Sequence, residues 1–105
     1  MSIYGEWKAA TITVALGTTS AEVDLGRDWD FLDIQIPAMT KCKLSLQVAE
    51  KTDGTFYNLG DGATTLSGTF SRADTFRLGG WQFIKVVASE TQTVERLIRV
   101  RGARY

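Results

Sequence analysis

With 105 residues, 44% of them hydrophobic and 10% aromatic, the chain suits one folded domain and leaves too little material for a second core. Twelve Lys and Arg balance twelve Asp and Glu, so the net charge is zero and the broad basic field of a general nucleic-acid binder is missing. Histidine is absent, which removes Ser-His-Asp and Cys-His activation together with the commonest metal ligand.

Period-two alternation predicts strands from one end to the other. The first is expected over Ala9–Leu16, with Ile12, Val14 and Leu16 on one side and Thr11 and Thr13 on the other. Gly17–Ser20 reads as a turn, Ala21–Leu25 as a strand and Gly26–Asp30 as a polar loop. Phe31–Ile36 follows with Leu32, Ile34 and Ile36 on one face, and Pro37 closes it for want of an N–H. Lys41–Ala49 alternates most cleanly, with Cys42, Leu44, Leu46 and Val48 on one side. Asp53-Gly54 suits a hairpin position needing positive φ before a short strand over Thr55–Leu59. Gly60–Gly62 should break that strand, Ala63–Ser71 is strand or ordered loop, and Thr75–Leu78 is a short edge strand. Gly79-Gly80 should turn the chain into Trp81–Ser89. The last strand is expected over Val94–Arg101, with Ile98 and Val100 inward and Leu97, Arg99 and Arg101 outward. No segment spaces its apolar residues as a helix would.

Seven or eight short strands with turn residues between them predict an all-β protein, an antiparallel two-sheet sandwich. Immunoglobulin-like topology is the alternative, but its paired cysteines around a tryptophan are missing, so a jelly-roll-like order is preferred. Residues 1–8 are expected as an N-terminal arm and residues 9–105 as the sandwich. No apolar run follows a basic N-terminal segment and none approaches a membrane span, so neither secretion nor membrane insertion is expected. The lone Cys42, on the apolar side of its strand, reads as a buried inert thiol.

Catalytic patterns are missing: there is no P-loop, and no carboxylate pair is nominated for glycoside hydrolysis. Asp24, Asp28, Asp30 and Asp33 cluster in sequence but lack EF-hand spacing, and solvated loop acids are the preferred reading over calcium. No cofactor is expected. Trp29, between Asp28 and Asp30, is the candidate glycan contact. The charges are unevenly placed. Residues 1–35 hold six acids (Glu6, Glu22, Asp24, Asp28, Asp30, Asp33) against Lys8 and Arg27, leaving ten bases and six acids for the rest. Such a dipole suits contact between copies, or it is cancelled inside the fold. Tyr4 and Trp7 at one end, with Arg99, Arg101, Arg104 and Tyr105 at the other, are residue types enriched at interface hot spots, and they are the candidate protein-contact residues. A solvated basic strand edge is the alternative.

Three stretches carry a resemblance: FLDIQIPAMTKCKLSLQVAEKTDGTFYNLGDG, then WQFIKVVAS, then ERLIRVRGARY. Over roughly the last three quarters of the chain they resemble small β-sandwich structural proteins of tailed bacteriophages. The resemblance implies a virion structural protein without catalysis. It would be a capsid decoration or head-associated subunit, made in the host cytoplasm and assembled in copies against the major capsid protein or its own neighbours. The alternative is a carbohydrate-binding module of a receptor-binding or tail apparatus.

Overall fold

The computed structural model describes residues 3–37, 42–66, 72–92 and 94–105. Seven strands run β1 (Ile3–Tyr4), β2 (Lys8–Ala9), β3 (Val23–Ile36), β4 (Cys42–Ala49), β5 (Tyr57–Leu66), β6 (Arg72–Ala88) and β7 (Arg99–Arg104), all antiparallel, in the order β1-β7-β3-β6-β4-β5 with β2 also on β7. The described residues contain no helix, and none is long and apolar enough to cross a membrane. The fold class is the expected one, an all-β antiparallel sandwich of jelly-roll type.

Two long strands join the layers. The first half of β6 pairs with the second half of β3, Arg72 to Arg77 against Ile36 to Phe31, and β3 also pairs with β7. The second half of β6, Phe83 to Ala88, pairs with β4, which carries β5. Gly79 and Gly80, both at positive φ (76° and 96°), sit at the bend between these halves. A side chain would resist that backbone, so this glycine pair bends a strand where the sequence suggested a turn. Register shifts in β3 on either side of Trp29 form the matching corner, and the expected polar loop at Gly26–Asp30 is part of that strand.

The halves close on one core. Leu32, Ile34, Ile36, Ile98 and Val100 from one layer meet Leu44, Leu46, Val48, Ile84 and Val86 from the other. Each fully buried aliphatic side chain contributes roughly 1.5–3 kcal/mol of transfer free energy. Burial along β4 follows the expected alternation, with Cys42, Leu44, Leu46 and Val48 buried and Lys43 exposed. Burial also raises the Cys42 thiol above its ordinary pKa. Lys41, Ala38–Thr40 and residues 67–71 lie outside the described residues.

Several boundaries differ from expectation. Ala9–Leu16 is not one strand: Lys8–Ala9 pairs with β7, the Ala10 N–H donates to Ile98 O at 2.7 Å, and Ile12 forms an isolated bridge with Arg96. The chain then turns, with the Gly17 N–H donating to Thr13 O at 2.8 Å, so Val14 and Leu16 stay 58% and 50% exposed. β5 continues through Gly60–Gly62, where its pairing with β4 is interrupted between Asn58 and Ala63, and β7 starts at Arg99 instead of Val94. Ile98 and Val100 are buried and Leu97 and Arg99 exposed, as the alternation requires. Of the residues expected to form an arm, Ile3, Tyr4 and Lys8 are paired to β7, and the Gly5 N–H donates to Gly102 O at 2.8 Å.

Candidate functional site

One sheet face gathers most of the residues nominated from sequence. β7 lies between the N-terminal strands and β3, so strand register brings both chain ends together. Tyr4 stands opposite Ala103, and Ala103 opposite Phe31. One row further along, Arg101, Asp33 and Thr75 line up across β7, β3 and β6. The Tyr105 ring packs against Tyr4 (centroids 5.8 Å apart, edge-on) and Phe31 (5.2 Å).

Asp33 is the hub of this face, a role its position in the acidic stretch did not disclose. The Arg101 Nε donates to its Oδ2 at 2.9 Å, while the Tyr105 hydroxyl (2.7 Å) and the Thr75 hydroxyl (3.1 Å) donate to its Oδ1. A carboxylate this buried requires such partners, because burying an unpaired charge costs several kcal/mol. The bond to Asp33, followed by burial, raises the Tyr105 phenol above the ordinary tyrosine pKa. The Arg101 guanidinium lies over the rings of Tyr4 (4.2 Å) and Trp7 (4.7 Å), and Arg99 lies over Trp7 at 5.7 Å. Arg104 stands slightly apart, its Nε donating to Asp30 Oδ2 at 3.0 Å. The acid-rich first third and the arginine-rich end therefore neutralise each other in part within the fold. An open groove of about 320 Å³ crosses the face, with Trp7, Asp33, Gln35, Asp74, Arg101 and Tyr105 among its walls. Tyr105, on its wall, and Tyr4, which packs against Tyr105, remain 57% and 47% exposed.

Trp29 is not part of this surface. It is only 5% exposed, its indole N–H donates to Leu25 O at 3.1 Å, and the Arg27 guanidinium lies 5.2 Å from its ring. A Cβ placed on Gly102 would fall 2.1 Å from Trp29 Cγ, so the indole fills the space over that glycine. A buried ring of this kind has no face for a sugar, which corrects the reading of Trp29 as a glycan contact. The β3 bulges turn Trp29 inward, and they are not visible in a strand-by-strand alternation.

The four acids weighed for calcium are dispersed. Asp30 and Asp33 face arginines, and Asp24 accepts from Gln82 Nε2 (2.9 Å) and the Gly26 N–H (2.8 Å). Those two bonds hold the Asp24 carboxyl below its ordinary pKa. Among the described residues no group of three or more acids or cysteines converges.

No protein-family model and no curated protein sequence matches the chain. Solved structures do share the fold. The SPBc2 prophage-derived protein YomS aligns over 99% of this chain and 96% of its own, with a TM-score of 0.64 at 11% identity. The tobacco streak virus coat protein, solved as a dimer, aligns over 97% of this chain and 83% of its own, with a TM-score of 0.56 at 14% identity. The molecule thus has the sandwich fold of a prophage-derived protein and of a viral coat protein. At these identities the likeness is one of fold.

Proposed function

We propose that this chain is a non-enzymatic structural protein of a tailed-phage virion, a decoration or head-associated subunit that packs in copies on a capsid lattice. The observation that carries the reading is the end-to-end fold match to a prophage-derived protein, joined by a viral coat protein of the same architecture. Chemistry on the sheet face supports the location of the contact. Ile3, Tyr4 and Tyr105 are half exposed at the joined chain ends, and Arg99, further along β7 over Trp7, is exposed too. Rings already held in place lose little freedom on binding, and arginines fix register against a charged neighbour.

The test is direct. Virions of the phage that encodes the chain are purified on a density gradient and their proteins identified by mass spectrometry. The chain is expected among the particle proteins in many copies per head. Its presence only in the infected-cell lysate, and never in particles, counts against a virion role.

A further inference from the structure

A second surface lies away from that face, at the turn between β4 and β5. Glu50, Lys51, Gly54, Thr55 and Tyr57 line a cleft of about 230 Å³ there. Tyr57, opposite Val48 at the start of β5, is 65% exposed, more than any other large hydrophobic side chain among the described residues. The turn is held from several sides. The carboxylate of Glu22, thirty residues away in sequence, accepts from the Thr52 hydroxyl at 2.6 Å and from the Asp53 N–H at 2.8 Å. The Gly54 N–H closes the turn on Lys51 O at 3.1 Å, and Asp53 sits at φ 54°. Next to Tyr57, the Phe56 ring is covered by the Lys85 ammonium at 4.5 Å.

The side chains on the cleft are in a different state from those on the sheet face. Among the described residues the Glu50 carboxylate, the Lys51 ammonium and the Tyr57 hydroxyl have no hydrogen bond or ion pair, although the loop beneath them is fixed. Together they offer a carboxylate acceptor, a cationic donor and hydroxyls that both donate and accept, beside an open aromatic ring. The one acid and the one base cancel, so neither a free anion nor a free cation is favoured. At about 30 Å³ per water, the cleft corresponds to about eight waters, the scale of a single small ring and not of an extended chain. A neutral pyranose meets these requirements: its C–H face packs on a ring, and adjacent hydroxyls pair with adjoining acceptor and donor groups.

We infer that the cleft formed by Glu50, Lys51, Thr55 and Tyr57 is a binding site for a neutral sugar ring. The site is independent of particle attachment and uses no residue of the sheet face. Isotopically labelled protein is titrated with glucose, galactose, mannose and N-acetylglucosamine while backbone amide resonances are followed. At least one sugar is expected to give saturable shifts confined to residues 50–57. Tyr57→Ala and Glu50→Gln should each weaken that binding by about tenfold or more, equivalent to ~1.4 kcal/mol, and Arg101→Lys should leave it unchanged. Three results overturn the inference: no saturable shift with any of the four sugars, shifts centred on Trp7 and Arg101 instead, or binding that survives Tyr57→Ala intact. Both variants sit on exposed positions, and an unchanged amide spectrum outside the turn verifies that they fold.

Discussion

The sheet face around Asp33 and the turn around Glu50 are built from similar residue types and stand in opposite states. On the face, one carboxylate takes three donors, and two arginines lie over aromatic rings of the same chain. At the turn, a carboxylate beneath the loop takes two donors, and among the described residues the groups above it are left open. Arginine, tyrosine and tryptophan at the two chain ends therefore serve first as a clasp. They fasten residues 3–9 and Tyr105 to the central strands and present outward only what the clasp does not cover. Residue type alone does not distinguish a surface engaged with itself from one awaiting a partner; counting hydrogen-bond partners does.

The contrast can be broken most severely beneath the face. Gly102→Ala places a methyl group where the Trp29 ring lies and is expected to destabilise the fold by about 3 kcal/mol or more, measured by urea denaturation. Asp33→Ala comes next. It strands a half-buried Arg101 and frees Tyr105 and Thr75, at an expected cost of about 2 kcal/mol, with faster amide exchange at Tyr4 and Gly5 as the clasp loosens.

Substitutions at the turn should be milder. Glu22→Ala is expected to lower global stability by about 1 kcal/mol or less while accelerating exchange of the Asp53 amide, which loses its acceptor. If Glu22→Ala proves as damaging as Asp33→Ala, the two regions are not different in kind. Tyr105→Phe gives the smallest effect at neutral pH and sharpens the contrast at high pH. Because folding raises the Tyr105 pKa, its contribution is fully present below the ordinary tyrosine value of about 10 and is lost as pH rises through the folded value. Native protein should therefore lose stability in that alkaline window by more than Tyr105→Phe does; equal losses would separate Tyr105 from Asp33.

How much of this was legible in the sequence follows from what alternation records. It places Leu44, Leu46 and Val48 on one side of β4 because a strand repeats every two residues, whatever its neighbours do. It says nothing of where a strand bends, so Gly79-Gly80 resembled a turn and the halves of β6 resembled two strands. Bulges hide in the same way, and the inward rotation of Trp29 depends on them. The candidate contact residues at both chain ends were nominated by type, and β7 brings most of them to one face; contact with a partner is the proposal made for them. Asp33 was not recognisable, because its meaning depends on strand order: only when β3 lies between β7 and β6 do Arg101 and Thr75 flank it. The Glu22 brace was hidden for the same reason, joining residues thirty positions apart across a corner of the fold.

The proposed particle attachment, through the exposed rim of the clasp, is tested most directly by co-sedimentation of the purified chain with heads of a tailed phage whose genome carries its gene. Native protein should pellet with heads to a saturating level. The double variant Tyr4→Ala with Tyr105→Ala, folded by its amide spectrum, should remain largely in the supernatant. A native chain that stays soluble beside intact heads lacking it, or a double variant that saturates them equally well, contradicts the account.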